Sequence, residues 1–469
     1  MPPARHILSL ILAVGFWTGA LGAATDPAYT PAPFRDHERW AVLGDSITHT
    51  GSYHRYVELF YATRFPARPL DVVNCGVAGD TAPGALRRLG WDCLDARPTV
   101  VTVMFGMNDV GRHLYAADPA PPDVVAKRLE RTAAYERALR ELTASLLRSG
   151  ARVILILPSP FDDTADLPQP NSPGCGAALA GLARRAQAVA DELKVATVDF
   201  GAPLAAINAR QQSRDPHFTI IGPDRVHPGA PGHLVMAYEF LRAQNLSGPV
   251  SRIEIDAAAH RAAATDNCAV TDVRPTADGL TFTCLARSLP FPVELAAAPA
   301  LAWIPLETEF NQETLLVRGL AEGDYELSID DQPVRSFSAS SLAAGVNLAR
   351  EPATPQMQQA LAVLTALKKK WDATAELRTL AYVEHGTWPD ATRPVDAALM
   401  SEKVAARLAA AGPKSNSWIT AQLKKYLDVK PREAALRAEA QSAVELARRL
   451  GAPRPHHYTL RRLTADTTR

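Results

Sequence analysis

Four short blocks of polar residues and glycines carry the side chains whose types could do chemistry. The first, from Gly44 to Thr48, directly follows an apolar run. A serine on a tight turn from strand to helix presents its Oγ at the sheet edge, where a base can reach it. The same residues are also suited to capping a helix, because Asp and Ser are favoured at that position. Ser46 is therefore a candidate nucleophile, with a helix cap as the plainer interpretation.

Two further blocks hold groups that can donate hydrogen bonds to a developing negative charge. In the block Asn74–Thr81, Gly79 is positioned to donate its backbone N–H, because a glycine lets the backbone approach a ligand closely. In the block Gly106–Asp109, the side-chain amide of Asn108 can do the same. The plainer interpretation is a turn into a helix for the first block and an Asx-turn for the second.

The fourth block pairs a carboxylate with a histidine. Asp224 lies three residues before His227. At that spacing its carboxylate can accept the Nδ1 proton and leave Nε2 free as a base. The plainer interpretation is a histidine in a surface loop, since the chain holds 12 histidines. Taken singly, none of the four blocks decides between a catalytic and a structural role.

The elements between these blocks predict an α/β unit from Arg39 to about Leu246. Apolar, β-branched runs bounded by Gly or Pro suit strands buried on both faces of a sheet. Five such runs occur: Trp40–Leu43, Leu70–Val73, Thr99–Phe105, Arg152–Leu157 and Val195–Val198. Apolar residues at helical spacing predict helices over Val124–Arg148 and Ala177–Leu193. The alternation implies a mostly parallel five-stranded sheet, with chemistry at the carboxyl ends of its strands.

The order and content of the four blocks resemble the SGNH hydrolase superfamily, also called GDSL-type esterases and lipases, which is named after its Ser, Gly, Asn and His blocks. The resemblance covers roughly residues 37–246 and extends to Val226-His227-Pro228 followed by Gly232-His233. It implies a flavodoxin-like three-layer αβα fold and the hydrolysis of carboxylic esters.

The resemblance also implies a role for each matched residue. Ser46 is the nucleophile, His227 its base, and Asp224 the carboxylate that orients the base. The oxyanion donors are the Ser46 N–H, the Gly79 N–H and the Asn108 amide. Four neighbouring polar residues are interpreted as structural: Asp45, Thr48, Asp109 and His233. No cofactor and no metal are expected, since no Cys-x-x-Cys pair or His-rich cluster offers zinc a tetrahedral set.

The N-terminus predicts a signal peptide over residues 1–24. Arg5 and His6 precede an apolar run from Ile7 to about Ala20, and small residues follow up to Ala24. The apolar core is short for a bilayer span, and an uncleaved membrane anchor is the alternative. We therefore expect a secreted or periplasmic protein with no stable membrane insertion after cleavage.

The sequence pattern changes after about Leu246. We expect the SGNH hydrolase domain over residues 25–246. Short segments with partial alternation predict a β-rich module over residues 247–350. Residues 351–469 are predicted to form a helical C-terminal region, with a basic helix leading to an Arg-rich end.

Export permits disulfides, and the chain has five cysteines: Cys75, Cys93, Cys175, Cys268 and Cys284. We expect a bridge between Cys268 and Cys284, which flank a predicted strand pair, and Cys75 with Cys93 as a second pair. An odd count leaves at least one thiol unpaired. The alternative for all five is a role as buried small hydrophobes.

The composition and the candidate site together limit the classes of function that this sequence can have. The 469 residues carry 50 Lys+Arg and 50 Asp+Glu, so no overall field favours nucleic acid as a partner. The sequence favours a secreted serine ester hydrolase that acts through an acyl-enzyme and removes short acyl groups, acetyl above all, from a carbohydrate. Its substrate would be a small-molecule or polysaccharide ester. A lipase, lysophospholipase or thioesterase on the same site is one alternative, and a non-catalytic surface or polysaccharide-binding protein is another.

Overall fold

The computed structural model describes residues 29–116, 119–246, 248–388, 395–412 and 417–464. The predicted signal peptide, residues 1–24, lies outside the described residues. Among the described helices, none combines the length and the apolar character that a membrane span requires. The buried apolar side chains of the described residues form a large core in the α/β unit, a second between two β-sheets and a third within the C-terminal helices.

Five parallel strands form the sheet of the α/β unit, and this confirms the predicted fold class. The strands are β1 (Arg39–Gly44), β2 (Asp71–Gly76), β3 (Val100–Met104), β4 (Arg152–Leu157) and β5 (Ala196–Asp199). Their order across the sheet is β2-β1-β3-β4-β5, with parallel pairing throughout. All of β3 is buried, as expected for a strand covered on both faces. In register, Gly44 pairs with Gly76 and with Met104, so these three strand ends lie side by side.

Helices cover both faces of this sheet. They are α1 (Ser46–Thr50), α2 (Ser52–Arg64), α3 (Ala82–Asp92), α4 (Pro122–Arg148), α5 (Cys175–Leu193), α6 (Gly201–Gln212) and α7 (Ala230–Ala243). Helix α2 contacts α7, whereas α3 contacts α4 and α4 contacts α5. With right-handed crossovers, these two groups lie on opposite faces. The unit is therefore the three-layer αβα arrangement that the sequence predicts.

Two further sheets enclose the second core. Their strands in the middle of the chain are β6 (Ser251–Asp256), β7 (Arg261–Asp266), β8 (Cys268–Thr276), β9 (Gly279–Ala286), β10 (Glu313–Arg318), β11 (Asp324–Ile329), β12 (Gln332–Ser338) and β13 (Val346–Asn347). Two short helices accompany them, α8 (Leu306–Glu309) and α9 (Ala339–Ala344). One sheet has the order β13-β10-β6-β7. The β-rich character predicted for this region is thus present.

The C-terminal helices are α10 (Pro355–Ala381), α11 (Ala397–Ala411), α12 (Trp418–Val429) and α13 (Glu433–Gly451). A π-helical turn, Tyr382–Thr387, continues α10. Helix α10 contacts α13, α12 and also α2 of the α/β unit. The helical region therefore packs directly against the α/β unit.

The helices confirm the predicted helical C-terminal region, and one strand that the sequence analysis did not predict follows them. Strand β14 (Pro455–Arg462) pairs antiparallel with β9 and with β11 in the second sheet of the β module. His456, Tyr458 and Leu460 alternate into the core. The alternation spans only eight residues. The arginines around it are typical of a solvated helix, so the sequence did not predict a strand here. The domain boundaries themselves remain predictions.

The predicted Cys268–Cys284 bridge is not formed in the structure. All five cysteines are buried and free. Cys268 and Cys284 lie on the paired strands β8 and β9, and the Cys268 thiol donates to the Arg252 carbonyl at 3.3 Å. The predicted Cys75–Cys93 bridge is not formed either, and the Cys75 thiol donates to the Asp92 carbonyl at 3.1 Å. Both predicted pairs are neighbours in space, and both occupy small buried positions, which is the alternative role that the sequence left open.

A buried ion pair joins α10 to the α/β unit. Lys370 Nζ donates to Glu58 Oε1 at 2.8 Å and to the Val72 carbonyl at 3.1 Å. The Trp371 indole N–H donates to Glu58 Oε2 at 2.7 Å. The side chains of Lys370 and Glu58 are 7% and 6% exposed. Because a buried charge without its partner is costly, this contact fixes how α10 docks.

We expect Lys370→Met to lower the free energy of unfolding by about 3–5 kcal/mol, because it leaves the Glu58 carboxylate buried and unpaired. The double variant Lys370→Met/Glu58→Gln should regain most of that loss. Urea unfolding measures both. Lys368→Met, which removes an exposed pair with Glu294, is the matched control and should change little. Equal losses in the single and double variants would contradict the unpaired charge as the cause.

Candidate active site

Ser46 begins helix α1 directly after β1, as predicted. The side chain of Asp45 caps this helix by accepting the Ile47 N–H at 3.0 Å. Gly76, at the end of β2, lets α1 pack against the strand end, because a Cβ there would lie only 2.3 Å from the His49 backbone nitrogen. Ser46 therefore lies at the carboxyl edge of the sheet, beside the loop that follows β2.

A continuous hydrogen-bonded chain joins Ser46, His227 and Asp224. Ser46 Oγ lies 2.7 Å from His227 Nε2, and His227 Nδ1 lies 2.5 Å from Asp224 Oδ2. Asp224 Oδ1 also accepts the backbone N–H groups of Val226 and His227 at 3.1 and 2.9 Å. With the Nδ1 proton on the Asp224 side, Nε2 accepts the serine hydroxyl proton, as a general base must.

The Asp224 carboxylate is suited to supporting a cationic imidazole. Partial burial would raise its pKa, but the hydrogen bonds from the His227 ring and from the two backbone N–H groups outweigh it, so the pKa lies below its ordinary value. The His227 and Asp224 side chains are 44% and 52% exposed. The base is therefore reached from open solvent, and a bulky substrate can approach it.

Arg225, which the sequence analysis did not single out, anchors the loop that carries Asp224 and His227. Its buried guanidinium donates to the carbonyls of four residues in the facing loop: Asp162, Ala165, Leu167 and Gln169, at 2.9–3.3 Å. The Asp162 N–H donates back to the Arg225 carbonyl at 3.1 Å. Because all these acceptors are backbone carbonyls, no side-chain pattern in the sequence could have revealed them.

The predicted oxyanion donors lie at the ends of β2 and β3. Gly79 has a φ of 77°, a left-handed conformation that favours glycine. Apart from its two chain neighbours, no heavy atom of the described residues lies within 4 Å of the place that a Cβ would occupy there. Asn108 Nδ2 donates one hydrogen to the Asp80 carbonyl at 2.9 Å. The second amide hydrogen can then serve an oxyanion.

Asp109 connects the loops that follow β2 and β3 through two hydrogen bonds. Its Oδ1 accepts the Ala82 N–H at 2.9 Å and its Oδ2 accepts the Gly106 N–H at 3.0 Å. Burial raises its pKa to about 6, and the hydrogen bonds from Ala82 and Gly106 limit the rise. These contacts agree with the structural role that we assigned to Asp109.

Thr48 and His233 also lie within the packing around the site. Thr48 Oγ1 lies 3.1 Å from the Tyr53 hydroxyl, and the buried His233 ring stacks on Tyr53 with a centroid distance of 6.1 Å. Burial lowers the pKa of His233 to about 4, so it is neutral at pH 7. Within the described part of the chain, no group of three or more His, Cys, Asp or Glu residues is arranged to hold a metal ion.

A sequence model of the GDSL-like lipase/acylhydrolase family matches residues 42–235, which contain all five predicted site residues. Residues 42–235 therefore form a domain of this family. This places the chain among the SGNH hydrolases and makes it a carboxylic ester hydrolase, as the four blocks predict.

Two relatives of this SGNH hydrolase differ in how much of the chain they match. An acetylxylan esterase from Geobacillus stearothermophilus is 26% identical over 220 residues, which are 44% of this chain and 93% of the relative. A solved structure described as BT4096, a gut microbial diltiazem-metabolizing enzyme, is 29% identical, with a TM-score of 0.84. The match covers 93% of this chain and 100% of that one. The arrangement of all three regions is therefore shared with a known structure.

The buried Asp45 predicts a pH dependence of stability for the esterase. Burial raises its pKa from 3.8 to about 7, and the hydrogen bond from Ile47 offsets this only in part. The folded chain therefore binds this proton more tightly than the unfolded chain, and the stability it gives is lost as pH rises towards 7. Each unit of such a shift corresponds to about 1.4 kcal/mol.

We expect Asp45→Asn, which cannot ionise, to gain stability relative to the parent when pH is raised from 5 to 8. Urea unfolding of both proteins at the two pH values measures the change. Asp191→Asn, at an exposed position of α5, is the control. A difference between parent and Asp45→Asn that is the same at both pH values would contradict the buried, protonated carboxyl.

Proposed function

We propose that this ester hydrolase is a serine esterase that works through an acyl-enzyme and removes short acyl groups, acetyl above all, from an acetylated carbohydrate. The observation that carries the proposal is the pair of short contacts, 2.7 Å from Ser46 Oγ to His227 Nε2 and 2.5 Å from His227 Nδ1 to Asp224 Oδ2. These are the distances that a nucleophile and its oriented base require.

In the proposed reaction, His227 Nε2 takes the proton of Ser46 as Oγ attacks the ester carbonyl. The oxyanion that forms is met by the Ser46 N–H, the Gly79 N–H and the amide of Asn108. The imidazolium, stabilised by Asp224, then protonates the departing alcohol and leaves an acyl group on Ser46. A water molecule, deprotonated by His227, releases the acid and restores the hydroxyl.

Two observations support a short acyl group on a bulky alcohol. The exposed His227 and Asp224 leave room for a large leaving group. One relative is named for acetylxylan. The N-terminus predicts export, and we propose that the protein meets its substrate outside the cytoplasm; residues 1–24 carry that part of the proposal.

A lipase on the same site would need an apolar groove beside the nucleophile. A cavity of about 580 Å³ does lie at the ends of β4 and β5, lined by apolar side chains such as Leu157, Phe161 and Leu179. Its lining includes none of the five predicted site residues. This cavity therefore does not serve as an acyl groove at Ser46. The complete catalytic set, with its contacts made, argues against a non-catalytic binding protein.

Replacement of the nucleophile tests the proposed mechanism. We expect Ser46→Ala to reduce the hydrolysis of p-nitrophenyl acetate to the background rate, because no other hydroxyl faces His227 Nε2 among the hydrogen bonds of the described residues. Ser213→Ala, an exposed serine near the end of α6, is the matched control and should keep full activity. Unchanged turnover in Ser46→Ala would overturn the serine mechanism.

Acyl chain length tests the substrate class. We expect kcat/KM to fall from p-nitrophenyl acetate to butyrate to octanoate, and we expect release of acetate from acetylated xylan that Ser46→Ala does not catalyse. A groove that buried the chain would instead add about 0.8 kcal/mol of binding for each methylene. Flat or rising kcat/KM towards octanoate would contradict the short-acyl proposal while leaving the serine mechanism intact.

A further inference from the structure

We propose that Arg378, on the C-terminal helix α10, is a positioning residue for the oxyanion hole. The inference rests on the proposed function, because it concerns the loop that presents the Gly79 N–H. It assigns to the helical region a direct part in the ester hydrolysis carried out by the α/β unit.

The Arg378 guanidinium holds the carbonyl of Gly76, where β2 ends and the Gly79 loop begins. Its Nε and Nη2 donate to the Gly76 carbonyl at 3.2 and 3.1 Å. It is also paired with Asp92, with Nη2 at 2.8 Å from Oδ2 and Nη1 in contact with Oδ1. The Arg378 and Asp92 side chains are 10% and 1% exposed. The nearly buried Arg378–Asp92 ion pair thus holds the Gly76 carbonyl, at the start of the loop that carries Gly79, in place.

Arg88 connects Asp92 to Asp80, which directly follows Gly79 in the same loop. Arg88 Nη1 contacts Asp92 Oδ2, and its Nε donates to Asp80 Oδ2 at 2.7 Å. Arg88 also donates to the Cys75 and Gly44 carbonyls at 2.8 and 3.1 Å. Arg378, Asp92, Arg88 and Asp80 therefore form one chain of ion pairs with no net charge. This chain binds the backbone before Gly79, at Gly76, and includes the side chain of the residue after it, Asp80.

This chain reaches the other groups of the site through the backbone. The Asp80 carbonyl accepts the Asn108 amide hydrogen at 2.9 Å, and His49 Nδ1 lies 3.1 Å from the Gly76 carbonyl, three residues after Ser46. The turn itself closes with the Asp80 N–H donating to the Val77 carbonyl at 3.2 Å. Fixing the Gly76 carbonyl therefore fixes the direction of the peptides that lead to the Gly79 N–H.

Arg378 is not needed to attach α10 to the α/β unit. Two turns earlier, Lys370 and Trp371 already bind the buried Glu58, and apolar residues of α10 belong to the large core. Replacing Arg378 should therefore loosen the loop without releasing the helix. The expected effect is on turnover, since an oxyanion donor acts in the transition state rather than in substrate binding.

The decisive variant is Arg378→Lys, which keeps a cation for Asp92 but loses the paired donors to the Gly76 carbonyl. We expect kcat for p-nitrophenyl acetate to fall about 10-fold to 100-fold, less than the roughly 10²–10³ for loss of a donor itself, with KM within about 3-fold. The urea midpoint should stay close to that of the parent. Arg432→Lys, at an exposed pair with Glu376, is the matched control and should keep parental kcat.

A rescue experiment separates positioning from general destabilisation. Arg378 borders a cavity of about 560 Å³ that also contacts Trp91, Asp92 and Gln441, so a guanidinium ion can reach the space left by Arg378→Ala. We expect millimolar guanidinium to raise kcat of Arg378→Ala and to leave the parent and Arg432→Lys unchanged.

Full activity of Arg378→Lys, or a loss expressed only in KM, would overturn the inference while the Ser46-dependent activity of the parent stands. A parent without Ser46-dependent turnover would overturn the proposed function, and this inference with it. If Arg378→Ala does not fold, the kcat and KM of Arg378→Lys decide the question.

Discussion

The site depends on one geometric constraint, the parallel direction of all five strands in the central sheet. Because parallel strands end along a single edge, groups that follow β1, β2 and β3 meet there without any long-range contact of their own. Ser46, Gly79 and Asn108 are such groups, and their strands are neighbours in the sheet. Only the base comes from elsewhere, 181 positions from Ser46. Its 2.7 Å contact with Ser46 therefore requires the loop before α7 to be held independently, which Arg225 does through the facing loop.

The molecule accommodates its buried carboxyl groups in two ways, by ion pairs and by protonation. Around the site, Arg88 and Arg378 neutralise Asp80 and Asp92, and the pairs point in directions that fix strand ends and a loop. In the β module, neither carboxyl oxygen of the buried Glu313 has a hydrogen-bond partner, and burial raises its pKa to about 8. That carboxyl is neutral at pH 7. Ion pairs thus keep the charge of Asp80 and Asp92 around the Gly79 loop, whereas burial favours the protonated form of Glu313 and of Asp45 beside Ser46.

Patterns local in the sequence could be predicted, and contacts made through backbone could not. The strands of the central sheet appear as buried β-branched runs, and the predicted site residues Ser46, Asp224 and His227 lie within hydrogen-bonding distance. Arg225 could not be predicted because its partners are backbone carbonyls, which every residue carries. Arg378 could not be predicted because its partners, the Gly76 carbonyl and the Asp92 carboxylate, lie 302 and 286 positions earlier in the chain. Strand β14 could not be predicted from the sequence because its pairing partners, β9 and β11, lie more than a hundred positions earlier in the chain.

The same distant pairing bears on whether the catalytic unit is a separable domain. On α2, Phe60 packs against Phe291 and Phe310 at centroid distances of 6.2 and 5.7 Å, and Glu58 is bound by Lys370. A chain ending near residue 246 would expose the Phe60 ring, at a cost of about 1.5–3 kcal/mol. It would also remove Lys370 and Trp371 from the Glu58 carboxylate. The helices, in turn, are enclosed in sequence between β13 and β14 of one β module. The β module and the helices are therefore joined to each other by strand pairing, and the helices pack against the α/β unit.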